Sequence, residues 1–233
     1  MISAATAKMI NILPNQWVTY ISRKIINHYL KKYATMHIVG SDNLKGIQTP
    51  TIFICNHLSN SDGLVLDRVL KDIDPTFVAG EKLSNNAVTS IGVNVIKTTN
   101  IKPNTADKEG LERIIKLVKQ GGSLLIFPEG TRSRAGSLIE AKKGILLIAR
   151  MTGAPIVPVG LYGTEKLLPI HIEGDMKAET FTYADIHVNI GTQFELPKRD
   201  KEQDKQEYEE FAMQYMMKKI AELLPENYRG VYK

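Results

Sequence analysis

Cysteine occurs once in the 233 residues. That excludes a disulfide framework and a zinc cage built on thiolates, and it points to a reducing compartment. No apolar run approaches the ~18 residues of a conventional membrane-spanning helix. The opening residues lack the basic start, apolar middle and small-residue cleavage site of a signal peptide. There is no GxxxxGK[ST] loop and no GxGxxG, so nucleotide hydrolysis and dinucleotide binding lose their usual supports. No serine sits in a GxSxG elbow either. Acidic residues are scarce at one end of the chain. Residues 1–50 hold Lys8, Arg23, Lys24, Lys31, Lys32 and Lys45 against Asp42 alone, whereas the remaining charges cancel. The whole excess of +5 therefore lies on the N-terminal segment, where an anionic surface would meet it. Nucleic acid is a poor match, because neither stacking aromatics nor a recognised motif accompanies the charge.

What is present begins with an amphipathic stretch, Trp17 to Tyr33. Trp17, Val18, Ile21, Ile25 and Tyr29 share one arc, and Arg23, Lys24 and Lys31 lie opposite. Two readings are open. In one, the helix rests in a membrane interface through Trp17, Ile21, Arg23, Lys24 and Ile25. In the other, its apolar side packs on the protein and its basic side is solvated. Beyond it, apolar strand-like runs alternate with helix-like ones. Strands are expected at Thr35–Val39, Thr51–Cys55, Thr76–Ala79, Val93–Ile96, Ser123–Phe127, Pro155–Leu161 and Ile186–Ile190. Helices are expected at Asp62–Leu70, residues 82–91, Thr105–Gln120, Gly144–Met151 and Glu207–Leu224, the last with Tyr208, Phe211, Tyr215 and Met216 on one face. This alternation predicts an α/β fold, a single domain at 35–233 with a largely parallel sheet flanked by helices. Residues 1–34 form an N-terminal amphipathic membrane-surface helix in the first of those readings.

In open α/β sheets, ligands gather at the carboxyl ends of strands. Two such ends are dense in polar residues. TIFIC runs into Asn56, His57, Ser59, Asn60, Ser61 and Asp62, and SLLIF runs into Pro128, Glu129, Gly130, Thr131, Arg132, Ser133 and Arg134. On a continuous helix His57 and Asp62 face different ways. If His57 ends a strand and Asp62 opens a helix, the turn between them can join carboxylate to imidazole and leave the other ring nitrogen as a general base. Asp62 can equally serve as a helix cap. In the second turn, Gly130 permits close backbone approach, Thr131 offers a hydroxyl and Arg132 a forked donor suited to phosphate. An ordinary surface pairing of Glu129 with Arg132 is the alternative. Cys55, inside an apolar run, reads as a buried hydrophobe rather than a nucleophile. The other histidines show no metal-ligand spacing, and no metal is expected.

His57-Leu58-Ser59-Asn60-Ser61-Asp62 resembles the HxxxxD motif of the glycerolipid acyltransferase family. Phe127-Pro-Glu-Gly-Thr-Arg-Ser133 resembles its FPEGTRS motif, with Glu129 lying 72 residues after the histidine. Ile156-Val-Pro-Val-Gly160 is similar to the family's later apolar segment. The resemblance spans roughly residues 36–170, and its nearest subgroup is the 1-acylglycerol-3-phosphate acyltransferases. It implies that His57 is the base, Asp62 its partner, and Glu129, Gly130, Thr131 and Arg132 part of an acceptor-phosphate site. One departure stands out. The family commonly carries an arginine at the end of a strand between the motifs, whereas this chain reads Val93-Asn-Val-Ile-Lys97-Thr-Thr-Asn100, leaving Lys97 as a point-charge substitute.

The implied reaction passes an acyl chain from acyl-CoA or acyl carrier protein to 1-acylglycerol 3-phosphate, giving phosphatidic acid without a cofactor. The implied location is the cytoplasmic face of a membrane, held peripherally. Another lysophospholipid, glycerol 3-phosphate, or a purely binding role for a lipid head group are the alternatives.

Overall fold

The computed structural model describes residues 10, 12–80, 92, 94–102, 105, 107–171 and 178–233. Helix α1 (Asn15–Tyr33) leads directly into strand β1 (Ala34–Val39), followed by β2 (Ile52–Cys55), α2 (Asp62–Val69), β3 (Thr76–Gly80) and β4 (Thr98–Ile101). Then come α3 (Lys108–Lys119), β5 (Leu124–Ile126), α4 (Gly144–Thr152), β6 (Ile156–Tyr162), the short α5 (Thr164–Leu167), β7 (Ala184–Ile190) and α6 (Lys205–Ala221). The strands form one seven-stranded sheet in the order β1-β7-β6-β2-β5-β3-β4. β7 runs antiparallel to β6, and β1 follows β7, so the sheet is mixed but mostly parallel.

The alternation of side chains along β2 explains why the sheet is covered on both faces. All its residues are fully buried, and successive ones enter different clusters. Phe53 and Cys55 pack with residues of α1 and α2 such as Leu30 and Val65. Ile52 and Ile54 pack with residues of α3, α4 and α6 such as Ile114, Ile148 and Met216. Asp107 caps α3 by accepting from the Gly110 N–H, and Asp204 caps α6 by accepting from the Gln206 and Glu207 N–H groups.

Two details of the edge strand and the last helix depart from the sequence expectations. The strand expected at Val93–Ile96 lies instead at Thr98–Ile101; described residues 94–96 form a bend whose Val95 is buried in the core. The polar TTNI segment can be the strand because it lies at the sheet edge, where one side of the ladder is unpaired. On α6 the buried stripe is Tyr208, Ala212, Met216, Met217, Ile220 and Ala221, and Phe211 points outward. The helix expected over residues 82–91 falls outside the described residues.

Helix α1 is anchored to the body of the protein. Val18, Ile26 and Leu30 are buried, with Ile21 and Ile25 packed beside them. Arg23 donates to the Val95 carbonyl at 3.0 Å and lies 3.7 Å from the Asp67 carboxylate. The packed side is thus rotated from the expected arc. Trp17, at 59% exposure, and Tyr20 face outward with Lys24, whose ammonium sits 4.8 Å over the Tyr20 ring. Ile12 and Leu13, just before the helix, are exposed too. Among the described residues, no helix is long and apolar enough to cross a membrane.

Candidate active site

Strands β2 and β5 are parallel neighbours, with Phe53 opposite Leu125. Both therefore deliver their polar loops to the same edge of the sheet. The loop after β2 turns into α2, and Asp62 is that helix's first residue. Its carboxylate is wholly buried at the positive end of the helix. One oxygen, Oδ2, receives the Leu58 N–H at 2.6 Å and the Ser59 N–H at 2.9 Å, and it lies 2.7 Å from His57 Nδ1. The two backbone bonds fix the carboxylate, and the carboxylate fixes the imidazole. With the proton held on Nδ1, Nε2 is left as a proton acceptor. Asp62 opens the helix but does not cap it: the N-cap position is Ser61, and the Asp62 carboxylate turns back to the loop and the histidine.

The loop after β5 grips the same histidine from the other side. The His57 N–H donates to Glu129 Oε1 at 2.7 Å, and the Ser133 N–H donates to the His57 carbonyl at 2.7 Å. The Phe127 ring stacks on the imidazole, with centroids 4.1 Å apart and 14° between the planes. Glu129 also accepts from the Ile139 N–H at 3.0 Å. The Gly130 N–H closes the turn on the Phe127 carbonyl at 3.0 Å, and Gly130 has φ +68°, a conformation open chiefly to glycine. A Cβ there would also stand 3.1 Å from Lys142 Cγ.

The other expected site residues fall in different places. Glu129 is fully buried, with both oxygens committed to backbone N–H groups, so it braces the turn and offers nothing to an anion. Burial pushes its carboxyl up to about 7, against the opposing pull of the two N–H bonds and with a further push from the Asp62 charge. Gly130 and Thr131 are exposed at the tip. Arg132 is partly buried, its Nη1 donating to Glu179 Oε1 at 2.7 Å. Lys97 is not at the site. It immediately precedes β4, at the amino ends of the parallel strands and so opposite the edge that carries His57, and it pairs with Asp74 at 3.1 Å. The cation just past the carboxyl end of β4 is Lys102. Cys55 is buried, and desolvation pushes its thiol well above the ordinary range, a setting for packing rather than attack.

Three further groups shape the site; Asn56 and Phe127 lie in the two polar stretches marked in the sequence without a role of their own, and Glu179 carried no signal there. Glu179 stands 47 residues beyond Arg132 and outside both motifs, yet its side chain meets residues of both loops. Phe127 reads as the last residue of a strand. Asn56 ties β2 to β6 by exchanging two hydrogen bonds with the Leu161 backbone, at 2.7 and 2.8 Å. A cavity of about 310 Å³ opens beside the site, bounded by Leu58, Ser133, Arg134, Glu165, Ile170 and His171. Its size is at the lower limit of small-molecule sites. Among the described residues, no three His, Cys, Asp or Glu side chains are grouped to hold a metal ion.

The sequence of residues 35–162 matches the model of the family described as Acyltransferase. A chloroplastic 1-acyl-sn-glycerol-3-phosphate acyltransferase of Brassica napus is 37% identical over 140 residues, covering 59% of this chain and 40% of the relative. The Arabidopsis thaliana chloroplastic protein of the same description is 32% identical over 164 residues, covering 65% and 45%. The chain thus spans less than half the length of these curated relatives. The crystal structure of the 1-acyl-sn-glycerophosphate (LPA) acyltransferase from Thermotoga maritima superposes with a TM-score of 0.61 at 25% identity, over 90% of this chain and 81% of that one.

Proposed function

The chain belongs to the Acyltransferase family, and we propose that it transfers an acyl chain from an acyl thioester to the free hydroxyl of 1-acylglycerol 3-phosphate, forming phosphatidic acid at a membrane surface. The observation that carries this reading is the buried Asp62 holding His57 by Nδ1, with the Arg132 loop strapped to the same residue. A sugar-alcohol hydroxyl is a poor nucleophile at neutral pH. His57 Nε2 takes its proton as the oxygen attacks the thioester carbonyl, the C–O bond forms and the C–S bond breaks. The proton held on His57 then passes to the departing thiolate. Asp62 stabilises the transient imidazolium, and base catalysis of this kind contributes ~10²–10⁴-fold. Holding acceptor and donor together supplies the remainder. No acyl-enzyme is needed, so Cys55 has no part.

Arg132, with donors beyond the one given to Glu179, is the group that receives the acceptor's phosphate. Gly130 and Thr131, exposed at the turn's tip, line the approach. Acyl-CoA and acyl carrier protein present the same thioester, and either serves as donor. For membrane contact, the outward groups are Ile12, Leu13, Trp17 and Tyr20 with Lys24. Apolar side chains and an aromatic belt beside a cation suit the head-group region of a leaflet. Ile21, Ile25 and Arg23 hold the helix to the protein instead.

The test is thiol release by the purified protein in mixed micelles, with an acyl thioester and, in turn, lysophosphatidate, glycerol 3-phosphate, lysophosphatidylcholine or no acceptor. Release that depends on lysophosphatidate is the expected result. Release that depends on another acceptor would overturn the acceptor assignment, and release without any acceptor would make the protein a thioesterase.

A further inference from the structure

Glu179 belongs to neither motif, but its side chain bridges the two polar loops. Its carboxylate has 1% exposure. Oε1 accepts from Arg132 Nη1 at 2.7 Å, and Oε2 accepts from Asn60 Nδ2 at 2.6 Å. Asn60 lies in the loop between His57 and Asp62, and Arg132 in the turn after Glu129. Buried carboxylates are costly unless paired, and here each oxygen has a committed donor.

We propose that Glu179 is a positioning residue for the acceptor. It holds the Arg132 guanidinium by one edge, so that the donors on the remaining edges face the acceptor's phosphate. The inference rests on the reading of Arg132 as the phosphate-binding group. An arginine side chain is long and rotamer-rich, and a fork fixed before the ligand arrives loses less freedom on binding. Asn60 fixes the carboxylate in turn, which sets the guanidinium relative to the loop that carries His57. The same contacts allow a rival reading, in which Glu179 occupies the phosphate's place and must leave before the acceptor binds. Its burial argues for a fixture: a displaceable plug would sit at the solvent side of Arg132, whereas the arginine, at 18% exposure, is the more open partner.

The experiment compares Glu179→Gln, Arg132→Ala and the double variant, measuring KM for lysophosphatidate, KM for the thioester donor, and kcat. Gln keeps the size but has one acceptor oxygen for two donors. Glu179→Gln is expected to raise the acceptor KM about tenfold, with kcat and the donor KM within about twofold, since the lost interaction is with bound acceptor. In the Arg132→Ala background it should add less than about twofold, because residues acting through one another are not additive. An unchanged acceptor KM, equal multiplicative losses in the double variant, or a fall in KM would each overturn the proposal, the last in favour of the plug. If Arg132→Ala itself leaves the acceptor KM unchanged, the phosphate assignment fails and takes this inference with it. If only Glu179→Gln is without effect, the inference fails alone. Should Glu179→Gln not fold, as judged by circular dichroism, Asn60→Ala removes just the carboxylate's second support. It should raise the acceptor KM about threefold without changing the donor KM, and no change would overturn the proposal.

Discussion

The buried carboxyl of Glu129 makes the stability of this fold depend on pH in a direction that can be worked out and measured. Burial raises it from the usual 4.5 to about 7, although the His57 and Ile139 N–H groups pull the other way. The unfolded chain therefore releases this proton at a lower pH than the folded one does. Between those two values the fold holds the extra proton, so this group's contribution to stability is fully present below 4.5 and is lost as the pH climbs through 7. For one group with these two pKa values, the loss between pH 5 and pH 8 is about 2.5 kcal/mol. Glu129→Gln removes the titration and leaves one buried N–H facing an amide N–H₂, a penalty of ~1–3 kcal/mol that does not change with pH. Urea unfolding followed by circular dichroism at pH 5 and pH 8 gives both proteins' stabilities. Whatever else titrates is common to the two, so the wild type should lose about 2.5 kcal/mol more than the variant over that interval. Parallel losses would refute the reasoning. They would mean that the two N–H bonds outweigh burial and keep the carboxyl in its ordinary range.

Other expectations follow from individual contacts. Asp62→Asn retains an oxygen for the Leu58 and Ser59 N–H groups but loses the charge, so thiol-release assays should show kcat falling ~10²–10⁴-fold with the melting temperature little changed. Lys97→Ala should leave the acceptor KM within about twofold, because the residue lies at the opposite end of the sheet. Leu30 is 1% exposed in the core beneath α1, and Leu30→Ala should cost ~2–5 kcal/mol in urea unfolding. Trp17→Ala, by contrast, should weaken sedimentation with anionic liposomes while moving the unfolding midpoint by less than ~0.5 kcal/mol.

Much of the fold was legible because the apolar runs are unambiguous. TIFIC, SLLIF and PIVPVGL are short, β-branched or leucine-rich and bounded by polar turns, and each contains a strand of the sheet. The misplaced strand before Lys97 shows the limit of that signal. Val95 and Ile96 are apolar because they fill the core from a bend, and the edge strand after them is polar because an edge need bury little. The rotation of α1 has a similar cause. An arc drawn by hydrophobicity includes Trp17, whereas the packed side takes Ser22, small enough to let the helix sit close to the protein. The site was legible as two loops, because abrupt polar stretches after buried strands have few structural uses. Glu179 was not, since a lone glutamate beyond both motifs gains meaning only when the chain folds back to set it beside Arg132 and Asn60.

The two loops also turn out not to divide the work between them. Three contacts from the loop after β5 converge on His57: the Glu129 carboxylate on its N–H, the Ser133 N–H on its carbonyl and the Phe127 ring on its imidazole. Under the proposed function, the loop that supplies the phosphate ligand therefore also sets the position of the base. In such an arrangement, conservation of charge and size matters differently at neighbouring residues of one turn. Changes at Glu129 or Phe127 move the base relative to the acceptor hydroxyl and belong to kcat. Changes at Arg132, whose side chain leaves the turn toward Glu179, belong to the acceptor KM. The strand pairing of Phe53 with Leu125 makes this coupling possible, because it brings residues 72 apart in sequence within hydrogen-bond distance at the same edge of the sheet.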